Sequence, residues 1–317
     1  MSSAVNTIPA YKPLRRSGLR RRKMMTNITL WLFLLPGILF YAIFHYGAMF
    51  GVIIAFQDFN VFRGVFESPF VGLRHFRAFF DSIHFVRLIR NTVLINFYTL
   101  LFGFPLTVAF AVLLNEVRIN RLRSAIQMVS YLPHFLSIVV KCSMIHLLLS
   151  PTTGVLAFVQ RSLDMPVSNL IMDPSWFRTI FVSSGIWQTL GWGSIIYYAA
   201  LSNVNPELYE AASIDGANRW HKITRISLPS ILPTIIMMLL LQLGQFMNVS
   251  FEKVMLLYSP ATFETADVIS TYVFRSGLLN QQFSFATAVG LFNSIVTLAL
   301  IITCNTISKR ATDTSLW

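Results

Sequence analysis

Residues 210–233 read "EAASIDGANRWHKITRISLPSILP". The stretch is polar, carries both charge signs, and lies between two strongly apolar runs. Just before it, Asn205-Pro206 is a good helix start. Asn caps the first amides, and Pro fits the first helical position. The helix then reads "PELYEAASI" and meets Asp215-Gly216, a stop of the left-handed type. Roughly ten residues make a helix too short to be stable alone in water. Ala211 and Ala212 give it a low-profile face that lets another backbone come close. A surface loop with a chance alanine pair would read the same way on periodicity alone.

The surrounding chain sets the solvent. Of 317 residues, 55% are hydrophobic and 12% charged, against roughly 25% charged in a soluble domain. Mean hydropathy is +0.61, and there are 28 phenylalanines. Such a chain uses lipid as its solvent, and its length suits one membrane domain. The formal net charge is +12. The excess gathers at Lys12, Arg15, Arg16, Arg20, Arg21, Arg22 and Lys23, which marks a cytoplasmic tail rather than a nucleic-acid site.

Six stretches reach the ~20 apolar residues that a spanning helix needs. They cover roughly 28–56, 92–114, 125–149, 178–201, 231–257 and 284–307, with ends uncertain by about 2–4 residues. The first is too long for a signal peptide and is read as a retained span. Lys and Arg in the connecting segments favour both termini inside. This predicts an all-α integral membrane protein with six transmembrane helices, N-in and C-in. Its parts are a basic tail at 1–27, a membrane domain at 28–308 containing the loop 202–229, and a C-terminal tail at 309–317. The external segments 57–90 and 154–176 are expected to hold short helices. Pro36, Pro105, Pro133 and Pro233 fall within spans, where they kink helices.

Several chemistries are missing. No G-x-x-x-x-G-K-[ST] loop cradles a phosphate. No H-E-x-x-H or G-x-S-x-G occurs. Cys142 and Cys304 sit inside apolar spans, and the six histidines show no ligand spacing. No catalytic residue, metal or cofactor is expected on this chain.

The spacing in the opening stretch is specific. Glu-Ala-Ala is followed by three residues, Gly, nine residues, Ile, one residue and Leu-Pro: Glu210, Ala211, Ala212, Gly216, Ile226, Leu228 and Pro229. This resembles the EAA signature of ABC-importer membrane subunits. "GLRHF" (72–76), "NTVLINF" (91–97), "YLPHFLS" (131–137), "GWGSIIYYAAL" (191–201) and "FEKVMLLYSPATFETADVISTYVFR" (251–275) extend the resemblance over nearly the whole chain. They are similar to the carbohydrate-uptake, maltose-permease-like family, in its polysaccharide and oligosaccharide branch, which includes subunits of alginate-type importers. The resemblance implies a type I ABC importer transmembrane fold in a bacterial inner membrane. It implies a second permease subunit, identical or homologous, and an ATP-binding subunit dimer that carries ATP and Mg. It also implies an extracytoplasmic solute-binding protein and a carbohydrate cargo. Glu210, Ala211, Ala212, Asp215 and Gly216 would then dock the ATPase and transmit its motion.

Solute-pathway candidates come from polar residues in apolar spans. Gln242, Gln245, Asn248 and Glu252 are spaced three, three and four apart, which places them on one face of a helix. Their cost towards lipid points them to a protein interior or a watered cavity. Amides suit sugar hydroxyls, which donate and accept; polar packing between helices is the plainer reading. By the resemblance, Gln245 and Asn248 match sugar-contacting positions. Lys141 lies in the third span. It either pairs with Glu252 or faces the cavity and favours an anionic sugar. Trp187 and Gln188 in span four are further candidates.

Two other classes stay open. A secondary transporter driven by an ion gradient predicts repeats and intramembrane acids. A membrane scaffold would need no polar face on span five.

Overall fold

A computed structural model describes residues 30–312, with side chains to Arg310. The predicted basic tail at 1–27 lies outside the described residues, as do the last residues of the C-terminal tail. Helix dominates, and the described residues form no β-strand beyond one isolated bridge, Gln57 to Phe70. The chain divides into two units, 1–53 and 54–317.

Helix α1 (Leu30–Phe56) takes up the described part of the first unit and continues into the second. It widens to a π-helix over Tyr41–Gly47 and tightens to 3-10 over Phe50–Phe56. The rings of Phe40, Tyr41 and His45 pack on one another within it.

The second unit opens on a tight loop. Val71 donates to the Phe56 carbonyl and Asp58 to that of Pro69. Helix α2 (Arg74–Phe80) follows, then α3 (Phe85–Glu116). Helix α3 widens to a π-turn over Thr99–Gly103, immediately ahead of Phe104-Pro105. Proline cannot donate to the preceding turn, and the wide turn absorbs the missing bond. The same arrangement recurs before Leu228-Pro229, where Ile223–Ser227 is π-helical.

The third predicted span is two helices. Helix α4 (Asn120–Phe135) and α5 (Ile138–Leu149) meet at 100°. Pro133 weakens the end of the first, and Ser137 caps the second by accepting from the Val140 amide at 3.3 Å. After α6 (Val155–Ser162) comes α7 (Pro174–Ser202), whose 29 residues span roughly 43 Å at helical rise. Helix α8 (Pro206–Ile214) leads to α9 (Arg219–Ser230), which bends by 61° into α10 (Leu232–Leu243). The fifth predicted span therefore does not run unbroken from 231 to 257. It ends at Leu243, turns through 244–250, and resumes as α11 (Phe251–Leu257). Helix α12 (Ile269–Phe274) and the long α13 (Phe283–Thr312) complete the unit.

Three described helices (Leu30–Phe56, Phe85–Glu116 and Phe283–Arg310) are long and apolar enough to cross a membrane; the two bent pairs bring that to five. Helix α7 is long enough but more polar. It packs along α3 and α4, and its hydroxyls bond back to its own carbonyls, Thr189 to Gly185 at 2.9 Å and Ser194 to Gly191 at 2.6 Å. Lipid gives apolar surfaces little reason to associate, so close backbone approach carries the packing. At Gly191 a Cβ would lie 2.3 Å from the Ser130 carbonyl oxygen of α4. Buried clusters then tie the helices together. Phe177 and Phe181 of α7 meet Ile95, Cys142 and Val254. Val108 and Ala111 of α3 meet Tyr197, Leu201 and Ile231. Phe79, Leu88, Met247, Ile269 and Val289 join α2, α3, α12 and α13.

Candidate functional site

The opening stretch folds as its local chemistry dictates. Asn205 accepts from the Glu207 amide at 3.0 Å, and Pro206 takes the first helical position. The nine-residue α8 ends with Gly216 at φ +77°, while Ala217 donates to the Ala212 carbonyl at 2.8 Å. That six-to-one bond is a Schellman stop, and the left-handed φ explains the glycine.

No residue of α8 is buried. Glu210, Ala211 and Asp215 are exposed, and Ala212 is half-buried. Ile214 is 86% and Trp220 69% exposed. The helix stands on α9 through two contacts: Tyr209 Oη with Ser227 Oγ at 2.9 Å, and Lys222 Nζ donating to Ser213 Oγ at 2.6 Å. Ser227 is buried, so the Tyr209 hydroxyl anchors α8 to the buried part of α9.

The amides are brought together, though not by one helical face. Gln242 closes α10, while Gln245 and Asn248 lie in the turn beyond it. All three line a cavity of about 370 Å³, with Asn96, Thr99 and Thr107 of α3 and Gly185 and Thr189 of α7. Asn248 Nδ2 donates to Gln245 Oε1 at 3.0 Å, and Asn293 Nδ2 of α13 reaches Asn248 Oδ1 at 3.4 Å. The Asn293 side-chain oxygen, Oδ1, is buried without a hydrogen-bond partner among the described residues. Such a wall offers donors and acceptors together, which is what a polyhydroxylated solute needs. Asn293 and the α3 residues escaped sequence reading because their polarity shows no period shared with span five.

The other candidates part company. Glu252 is exposed on α11. Trp187 lines a separate, largely apolar cavity with Ile126, Pro133 and Leu190. Gln188 is half-buried on α7. Lys141 is buried beside Cys142 on α5. It does not pair with Glu252: the ion pairs among the described residues are Arg74–Asp58, Arg87–Asp267 and Arg275–Asp267.

Sequence reading also passed over Lys253, which is as buried as Lys141 at 5% exposure. Its ammonium donates to the Phe181 carbonyl at 2.7 Å and stands 4.4 Å from the centre of that ring. Lys141 and Cys142 are its electrostatic neighbours. Burying an ammonium group is costly unless it is paired, so two together with no acid in ion-pair reach among the described residues need a reason.

A second polar cluster was equally invisible. Buried Asp267 binds Arg275 at 2.7 Å, Arg87 at 3.4 Å and the Thr271 hydroxyl at 2.9 Å. Asn91 donates to the carbonyls of Asp267 and Glu264 at 2.9 Å and accepts from Arg178 at 2.9 Å. Together these bonds fix the segment after α11 to α3 and α7.

A helical membrane domain with an exposed short helix on one loop and an amide-lined cavity between spans defines a transport subunit. Residues 103–313 match the family described as "Binding-protein-dependent transport system inner membrane component". The chain belongs to that family. It is 41% identical to Protein LplB of Bacillus subtilis, over 89% of this chain and 88% of that protein. It is 35% identical to the polygalacturonan/rhamnogalacturonan transport system permease protein YteP of the same organism, over 98% of each. Among solved structures it superimposes on a chain of a bacterial alginate ABC transporter in complex with an alginate pentasaccharide-bound periplasmic protein. The TM-score is 0.86 at 41% identity, covering 93% of this chain and 99% of that one. The fold is that of a type I importer permease. The chain is an inner-membrane permease subunit of an ABC importer and not an enzyme; the ATPase is a separate subunit. An ion gradient as the energy source has no support.

Proposed function

We propose that this chain forms half of the translocation pathway for an oligosaccharide, and that the natural cargo carries uronic acid carboxylates. The observation that carries this is the cavity built from Gln242, Gln245 and Asn248, with Asn293 behind them. Its mixed donors and acceptors suit sugar hydroxyls. The names of two relatives, a polygalacturonan/rhamnogalacturonan permease and an alginate transporter, supply the acidic class. Lys141 supports it from within the fold.

In this reading six helices cross the lipid with both termini inside, α7 being the span that composition alone undercounts. A second permease chain, identical or homologous, closes the other side of the pathway. ATP and Mg act on the partner dimer. The exposed α8, with Glu210, Ala211, Ala212, Asp215 and Gly216, seats in that dimer and passes its movement to α9 and α10. Trp187 is left out, since its cavity is apolar and apart from the amides.

Uptake by the complete importer in proteoliposomes tests the reading, with neutral and uronic oligosaccharides offered through the binding protein. The expected result is ATP-dependent uptake of uronic oligosaccharides. Uptake that ignores ATP, or that carries no oligosaccharide, would overturn it.

A further inference from the structure

Lys253 and Gly185 meet at the wall of the amide cavity. Gly185 lines that cavity. A Cβ added to it would lie 3.3 Å from Lys253 Nζ. The ammonium group therefore lies against Gly185 at this part of the wall, where the residue carries no side chain of its own. The lysine is held by one carbonyl and one ring, both of Phe181. An ammonium has three donors, and no acid is within ion-pair reach among the described residues. Glu252, its neighbour in sequence, is exposed and makes no ion pair with it. Lys141 adds a second buried charge from α5, which packs on α11. Charges buried in apolar surroundings act at longer range than in water, because little screens them.

We propose that Lys253, reinforced by Lys141, is the specificity-determining cation of the pathway. Its charge, with no acid in ion-pair reach among the described residues, acts across the Gly185 backbone and favours an anionic over a neutral oligosaccharide in the amide cavity. Lys253 need not touch the solute: the Phe181 carbonyl and ring fix it behind the wall, and the cavity amides make the contacts. This rests on the proposed oligosaccharide pathway and adds the residue that sets its charge preference.

The plainer alternative is that Lys253 only joins α11 to α7 through Phe181. The two roles separate by probe. The complete importer is reconstituted with its ATPase and binding protein, and uptake is measured for trigalacturonate and for its carboxyl-reduced, neutral counterpart. The wild type is expected to prefer the acid. Lys253→Met should reduce that preference about tenfold while uptake of the neutral sugar holds. Lys253→Arg keeps the charge and should keep most of the preference. Equal loss of both sugars in Lys253→Met, with Lys253→Arg behaving the same way, assigns a merely structural role and overturns the proposal. An unchanged preference overturns it too. A wild type that moves both sugars equally defeats this inference alone. A wild type that moves neither defeats the cargo reading and this one with it.

Discussion

The α8 loop and the amide cavity are built on opposite plans. Every bond that shapes α8 is local: Asn205 to Glu207, Ala217 to Ala212, Tyr209 to Ser227. The cavity collects residues from 96 to 248, and Asn293 completes its hydrogen-bond chain. The loop is exposed and complete in itself, a surface made to be covered. The cavity exists only because four helices and a turn converge. Local construction lets a coupling element keep its shape while its partner moves. In the proposed reading, convergent construction lets the same movement open or close the amide cavity.

That contrast is broken most directly at Glu210. It is exposed, and its side chain makes no hydrogen bond or ion pair among the described residues, so Glu210→Lys should leave α8 folded. If α8 is the ATPase handle, the reversal should cut co-purification of the ATPase at least tenfold, about 1.4 kcal/mol of binding. Uptake should fall with it. Retention of the complex would remove α8 from its proposed role and leave its exposed Ile214 and Trp220 without an explanation.

A smaller and complementary effect is expected at Asn248. Asn248→Leu removes the link between Gln245 and Asn293 and places an alkyl group in the cavity wall. Each lost hydrogen bond is worth about 1 kcal/mol net. Uptake should therefore drop between about fivefold and thirtyfold, while co-purification of the ATPase stays at the wild-type level. A loss of assembly instead would mean that the cavity is a structural joint rather than a pathway.

How far each region was legible follows from the same difference. Asn205-Pro206 and Gly216 were read correctly because caps and left-handed stops depend on a few adjacent residues. The amides were found for a reason that the fold does not use. Spacing of three and three suggested one helical face, but the helix stops at Leu243 and the turn does the gathering. The bend at Leu136-Ser137 had its signal in Pro133 and in the capping serine, and hydropathy alone smoothed over it. Lys253 has no local signal, because its partner lies at Phe181. Asp267 has near partners in Thr271 and Arg275, but its tie to α3 through Arg87 spans a separation that hides it from any window of sequence. Helix α7 reads weakly as a span for a related reason: neighbouring helices, rather than lipid, surround much of it.

The finest test compares two helix caps that differ in charge. Asn205 caps α8 with an amide, and Asp173 caps α7 with a carboxylate that accepts from the Ser175 hydroxyl at 2.7 Å and the Ser175 amide at 2.9 Å. Those bonds, the hydroxyl's first, hold the Asp173 carboxyl below the usual carboxylate range. A depressed pKa gives stability that is fully present above the unfolded value near 4 and is lost as pH falls through the folded value. The Ser175 amide, corrected for intrinsic exchange, should therefore lose hydrogen-exchange protection as the pH drops below about 4. The Glu207 amide, held by uncharged Asn205, should keep its protection over the same range. Parallel loss at both amides would point to general acid loosening of the bundle rather than to the Asp173 cap. Loss at Ser175 alone would identify α7 as the helix whose start answers to acid, while α8, the proposed grip on the ATPase, keeps its cap.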